Sequence, residues 1–275
     1  MLSPGSTIAG YEVESVVGSG GVGILYRARQ LRLNRPVALK LVDAQLAADP
    51  VVRERLRREA RTVASLDHPN VVPLYEAGEA DGTVYIATRW VDGTELGTLI
   101  QQNGPLRARR AARIAAQIAA ALEVAHEQGL IHRDVKPSNV LLTSEDHVYL
   151  TDFGLTKKAD SASGFTAAGQ MLGTIDYVAP EQIEGNEAVP RGDVYGLACV
   201  TYEMLIGSSP YAGGGGMQKM WAHLNAEPPS VRDQRLDVPE ELDAVIRQGL
   251  AKRPADRPTA AAFGAQVLRA VGETP

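Results

Sequence analysis

An α+β fold, with a small strand-rich lobe ahead of a larger helical one, is predicted by two features of the sequence. Over roughly the first 87 residues, short runs with β-branched members are separated by glycines and turn residues, with one helical segment among them. Beyond that point, apolar residues recur at helical spacing in one segment after another.

In chain order, residues 11–17 and 24–29 read as strands separated by glycines, and 36–42 and 84–88 as apolar strands. Between them, residues 50–66 carry a helical stripe of Val52, Leu56 and Val63. The join falls at Trp90-Val91-Asp92-Gly93. Helices are then expected over 107–128, 191–206, 217–224, 240–250 and 259–271. Four glycines, 213–216, read as a flexible loop between helices.

Bulk composition narrows the function classes. A chain of 275 residues can build one large domain or two lobes with real cores. Its 44% hydrophobic and 22% charged content is ordinary for a soluble globular protein. A net charge of −5 argues against nucleic acid as a partner, since such binders carry a basic excess. The single cysteine, Cys199, cannot form an internal disulfide and reads as core packing. No basic patch followed by an apolar run opens the chain, and the apolar stretch 114–125 is interrupted by Gln117 and Glu123. With neither a leader nor a membrane segment within it, the chain reads as cytoplasmic.

The string Gly18-Ser19-Gly20-Gly21-Val22-Gly23 fits G-x-G-x-x-G, which dinucleotide-binding folds share. Asp43 lies 20 residues after Gly23, where such a fold places its ribose-binding acid. That rival also needs a helix to open at the glycines, whereas Ile24 to Ala28 continues as a strand. A glycine-rich hairpin over phosphates fits better, because glycine lets backbone N–H groups approach oxygen closely.

Lys40, in Val37-Ala38-Leu39-Lys40, sits among apolar neighbours, where an unpaired ammonium is costly. Glu59 falls into the apolar stripe of the following helix and is its natural partner. The densest group is His132-Arg133-Asp134, Lys136, Asn139 and Asp152-Phe153-Gly154. Asp134 can accept a hydroxyl proton, Lys136 can balance phosphate charge, and Asn139 and Asp152 are hard oxygen ligands suited to Mg²⁺. The apolar runs 140–142 and 148–150 bracket them, which a merely solvated loop would not need.

From about Tyr11 to Leu268 the chain resembles the eukaryotic-like bacterial serine/threonine protein kinases of actinobacterial type. The resemblance implies the bilobal protein-kinase fold over residues 11–271, with 11–89 as the N-lobe, 90–93 as the hinge and 94–271 as the C-lobe. The N-lobe would be a small antiparallel sheet with one main helix. The implied activity is transfer of the ATP γ-phosphate to protein Ser/Thr hydroxyls, with Mg²⁺ or Mn²⁺. By resemblance, Val17, Gly18, Ser19, Gly20, Gly21, Val22 and Gly23 cover the phosphates, and Lys40 pairs with Glu59. Asp134 is the base, assisted by Lys136; Asn139 and Asp152 hold the metal. Adenine lies between Leu25 and Ala38 above and Leu141 below, with its edge at the backbone near Arg89 and Val91 and Thr88 as gatekeeper. Ala179-Pro180-Glu181 closes the activation segment, Arg257 pairs with Glu181, and Asp193 braces the catalytic loop.

Lys136 and the pair Gly173-Thr174 follow the serine/threonine pattern. Arg133 implies a switch by activation-loop phosphorylation. Thr166 is the best-aligned site among Thr156, Ser161, Ser163, Thr166 and Thr174, and Lys157 and Lys158 stand nearby. His132 stacks with Phe153, Val63 and Leu74 in the family's packing spine, while His126, His147 and His223 read as surface or capping residues. Leu25 replaces a usual valine, Arg89 a usual glutamate and Gly196 a usual serine; the last is expected to loosen a local contact. Members often pair through the back of the N-lobe, so a homodimer is a possible assembly. The alternatives are a pseudokinase-like nucleotide-binding scaffold, which would lose Lys40, Asp134 or Asp152, and a small-molecule phosphotransferase, which typically lacks Ala179-Pro180-Glu181.

Overall fold

A computed structural model describes residues 1–20, 23–43, 50–153 and 175–274, with the side chains of 50–52 and 55–57 excepted. Gly21, Val22, Gly154, Thr156, Lys157, Lys158, Ser161, Ser163, Thr166, Gly173 and Thr174 lie outside these residues, as do the side chains of Val52 and Leu56. The chain divides into two compact units. The first holds residues 1–67 and 72–92; the second holds 68–71, 93–153 and 175–274.

The first unit is a six-stranded antiparallel sheet in the order β1-β2-β3-β4-β6-β5. Its strands are β1 (Thr7–Ile8), β2 (Tyr11–Gly20), β3 (Gly23–Gln30), β4 (Arg35–Val42), β5 (Leu74–Ala80) and β6 (Thr83–Arg89), with helix α1 (Pro50–Ala64). Strand alternation sends Tyr26, Ala28, Val37, Leu39, Tyr85 and Ala87 into one buried core with Tyr11 and Val13. Sequence periodicity missed β5 because its residues, Leu-Tyr-Glu-Ala-Gly-Glu-Ala, are mostly exposed at a sheet edge. The turn that follows did carry a signal. Asp81 and Gly82 both have positive φ, 51° and 72°, as a two-residue hairpin requires.

The second unit holds a small sheet, β7-β8-β9, and seven helices among the described residues. Its strands are β7 (Thr94–Glu95), β8 (Val140–Leu142) and β9 (Val148–Leu150). The helices are α2 (Leu96–Asn103), α3 (Ala108–Glu127), α4 (Pro180–Ile183), α5 (Pro190–Ile206), α6 (Gly216–Asn225), α7 (Glu240–Gly249) and α8 (Ala260–Ala270). Helix α5 is buried nearly all round, from Gly192 to Tyr202, which makes it the post on which α3, α7 and α8 pack. Proline at its first position needs no hydrogen-bond partner there, and Gly207 ends it at φ 89°. Sequence reading missed α2, a short helix with only Leu96 and Ile100 buried. Of the glycines 213–216, Gly213 and Gly214 take left-handed φ values of 103° and 73°, and Gly216 already opens α6.

Two histidines depart from the surface or capping role. His126 is nearly buried against Asp193, as described below, and His223 is fully buried. The Tyr195 hydroxyl lies 2.7 Å from His223 Nδ1, and Nε2 has no hydrogen-bond partner among the described residues. His147 does cap, with Nε2 2.9 Å from the Pro69 carbonyl. Burial lowers the His223 pKa from 6.5 to about 4, and Lys252 and Lys219 push it the same way. As pH falls, the unfolded chain therefore takes up this proton first. Stability present above pH 6.5 is lost as pH drops through 4, at about 1.4 kcal/mol per unit, or about 3 kcal/mol in all. The melting temperature, followed by circular dichroism, should fall between neutral pH and the low end of that window, and His223→Gln should fall less. An equal fall in the variant would assign the loss to another group.

Candidate active site

In the second unit the catalytic-loop residues are built around Asp193, which α5 presents from its first turn at 2% exposure. Its Oδ2 accepts from the His132 amide at 2.8 Å, and its Oδ1 accepts from the Arg133 amide at 2.7 Å. Arg133 has φ 64°, a left-handed conformation that costs a non-glycine residue free energy and needs such restraint. His126 Nε2, on α3, lies 2.8 Å from Asp193 Oδ2 and fixes the carboxylate from behind.

His132 is fully buried, and desolvation lowers its pKa, so the ring is neutral. Its Nε2 donates to the Thr151 carbonyl at 2.9 Å, which leaves Nδ1 to accept from the Asp134 amide at 3.2 Å. Phe153 stacks on it with ring centroids 4.7 Å apart. One neutral tautomer thus joins the Asp134 loop to the Asp152 segment.

Asp134 Oδ2 lies 2.9 Å from Lys136 Nζ. Asn139 Nδ2 donates to the Asp134 carbonyl at 2.8 Å and to its Oδ2 at 3.2 Å. The amide's donor end is therefore committed, which orients Asn139 Oδ1 as an acceptor. Thr151 N donates to the Asn139 carbonyl at 3.0 Å, bringing Asp152, at φ 58°, beside it. Asp134, Lys136, Asn139 and Asp152 are thus gathered in one unit. Hard oxygens from one amide and one carboxylate fit a divalent ion that takes its remaining ligands from phosphates. No group of three or more His, Cys, Asp or Glu forms a metal cage among the described residues.

Gly196 does not loosen its surroundings. A methyl built there would lie 3.0 Å from both Cβ and the carbonyl oxygen of Val135, so the missing side chain lets α5 press against the residue that follows Asp134. Further along, Arg257 and Glu181 form a buried pair at 2.7 and 2.8 Å.

In the first unit, the register pairs Leu25 with Lys40, Arg27 with Ala38 and Ala38 with Thr88. Leu25, Ala38, Lys40 and Thr88 therefore share one partly exposed sheet face, opposite the core face. Gly18 pairs with Leu25 and Gly20 with Gly23 in the hairpin. Gly23 is dictated by the protein itself: φ is 146°, and a Cβ would collide with the Leu41 carbonyl. Around Gly18 and Gly20 a Cβ meets nothing within 4 Å among the described residues, so their packing does not require glycine there. Val17, Ser19 and Arg89 are exposed and Val91 is half-buried. Glu59 is half-buried on α1, and Leu141, in the second unit, is half-buried on β8. Among the described residues, no helix is long and apolar enough to cross a membrane.

Comparison with known proteins adds the following. The protein kinase domain family matches residues 11–267. Serine/threonine-protein kinase PknE of Mycobacterium tuberculosis is 42% identical over 253 residues, 92% of this chain and 44% of the relative. PknD of the same organism is 43% identical over 256 residues, 92% of this chain and 38% of the relative. PknH of Mycobacterium bovis is 41% identical over 253 residues, with 92% and 42% covered. The chain thus spans less than half the length of these curated relatives. The crystal structure of the M. tuberculosis PknI kinase domain matches with a TM-score of 0.80 at 31% identity, covering 99% of this chain and 100% of that one.

Proposed function

The chain belongs to the protein kinase domain family and is a serine/threonine protein kinase domain, and on that premise we propose how its residues share the transfer of the ATP γ-phosphate to protein hydroxyls. The family uses ATP and a divalent metal ion, and the curated relatives give no support to a scaffold without transfer activity.

Asp134 orients the acceptor hydroxyl and accepts its proton as the oxygen attacks the γ-phosphorus. Lys136 balances charge on the moving phosphoryl group. The bond to the β-phosphate oxygen breaks, and ADP leaves with that electron pair. The observation that carries this reading is the pair of contacts on Asp134, where Lys136 and Asn139 both hold Oδ2. Asn139 Oδ1 and the Asp152 carboxylate would hold Mg²⁺ or Mn²⁺, which supplies neutralisation of phosphate charge. Lys40, steadied by Glu59, binds phosphates. The hairpin residues Val17 to Gly23 cover them; the open space at Gly18 and Gly20 supports this. Leu25, Ala38 and Leu141 contact adenine, with Thr88, Arg89 and Val91 along its edge.

The working boundaries are 11–89 for the N-lobe, 90–93 for the hinge and 94–271 for the C-lobe. Thr166 is the autophosphorylation site, in a cytoplasmic enzyme. Exposed Leu31 and Leu33, on the turn after β3, support pairing of two copies through the N-lobe. The test is incubation with labelled ATP and Mg²⁺, with and without a generic basic protein. Label should appear on Ser and Thr of the substrate and on Thr166. A preparation that moves no label with Mg²⁺ or Mn²⁺ would remove the basis of the proposal.

A further inference from the structure

Trp90 stands between Arg89 and Val91, the two residues whose backbone is proposed to meet the adenine edge. Its side chain is held from two directions. The Arg27 guanidinium lies over the indole, 5.0 Å from the ring centroid. Indole Nε1 donates to Asp92 Oδ1 at 2.8 Å. Arg89 N donates to the Pro73 carbonyl at 2.9 Å, which anchors the start of the segment.

Arg27 is aimed by the sheet. It pairs with Ala38 on β4, and Ala38 pairs with Thr88 on β6, so the three form one row across the face that also carries Leu25 and Lys40. A β-bulge supplies its counter-ion. Val13 pairs with Ala28 and Ser15 with Arg27, so Glu14 is the extra residue of β2. The Glu14 carboxylate lies 2.9 Å from Arg27 Nε and 2.7 Å from Arg29 Nη2. The contact with Arg27 is one of charge, since Nε has no aligned hydrogen bond among the described residues. A series of contacts, Glu14 to Arg27 to Trp90 to Asp92, thus crosses from β2 over β3 to residues 90–92, all within the first unit. Ion pairs on a partly exposed surface contribute little by themselves. This one matters for where it ends, on the residue between the two backbone groups that would read adenine.

We propose that Arg27, acting through Trp90, is a positioning residue for adenine: it holds the 89–91 backbone in the orientation that the adenine edge requires. The proposal rests on the reading that places that edge near Arg89 and Val91. Adenine offers its 6-amino group to a carbonyl and its N1 to an amide, and such bonds weaken steeply as their angles depart from linear. A segment fixed before nucleotide arrives avoids the ordering cost that a loose one carries.

Initial rates with ATP and with purine riboside triphosphate, which lacks only the 6-amino group, read this directly. The wild type should show a Michaelis constant for ATP about tenfold below that for the analogue. Arg27→Met, which keeps the aliphatic stem, should raise the constant for ATP about three- to fivefold and that for the analogue about twofold or less, with kcat close to wild type. Trp90→Leu should do the same, and the double variant should be no worse than either single one, because both remove one contact. Arg27→Lys, which keeps a cation over the ring, should restore most of the preference for ATP. Damage to the fold alone would lower kcat for both nucleotides equally and leave the ratio of their Michaelis constants at the wild-type value. That result overturns the proposal, as do Michaelis constants unchanged in both single variants. Equal use of the two nucleotides by the wild type is a separate result: it removes the adenine-edge reading, and this inference with it.

Discussion

Asp134→Asn should lower the rate of phosphoryl transfer by about 10²- to 10⁴-fold while leaving the Michaelis constant for ATP close to the wild-type value. The substitution keeps shape but removes the proton acceptor and the charge that Lys136 faces at 2.9 Å. Asparagine can still meet the Asn139 amide, so the loop, held mainly through the His132 and Arg133 amides on Asp193, should keep its seat. The effect belongs in kcat, since a proton acceptor acts on the hydroxyl in the transfer step and not on the binding of nucleotide. Steady-state kinetics with a saturating peptide, beside an ATP-induced shift in melting temperature, separates the two terms. Unreduced turnover would show that Asp134 is not the base. A large rise in the Michaelis constant with kcat preserved would make it a binding residue instead.

The largest loss of stability is expected from Arg257→Ala. Arg257 is 1% exposed and spends all five of its N–H groups. Two go to the Glu181 carboxylate at 2.7 and 2.8 Å. The others go to the carbonyls of Ala251 at 2.7 Å, Arg191 at 3.0 Å and Lys252 at 2.8 Å. The guanidinium also lies over the Tyr195 ring, 4.9 Å from its centroid. Truncation leaves Glu181 charged, buried and unpaired, which costs about 3–5 kcal/mol. For a chain of this size that corresponds to a fall in melting temperature on the order of 10 °C. Removing both partners, in Arg257→Met with Glu181→Gln, should cost less than Arg257→Ala alone, because no lone charge remains. Calorimetry on the two variants checks the ordering. The reverse ordering would mean that the bonds to carbonyls, rather than the ion pair, carry the stability.

Much of this molecule was legible from residue order. The strands 140–142 and 148–150 appear with the expected limits, and the helices differ by a residue or two at their ends, where capping rather than apolar spacing sets the boundary. The group Asp134, Lys136, Asn139 and Asp152 could be read because it is local: its members lie within 19 residues, and hydrogen bonds of short span gather them. Strand β5 was hidden because an exposed edge strand has no apolar alternation to display.

Periodicity was enough to indicate a strand-rich part followed by a helical one, and the ordered motifs, through their resemblance to a known family, indicated the chemistry, because burial writes a period into the chain and phosphoryl transfer demands particular groups in order. Contacts between distant residues left no such trace. That His126 stands behind Asp193, that Gly196 admits Val135, and that Arg27 covers Trp90 are matters of 67, 61 and 63 positions of separation. No local pattern encodes them. They exist only once helices pack, when close approach and desolvation decide which polar groups must find one another.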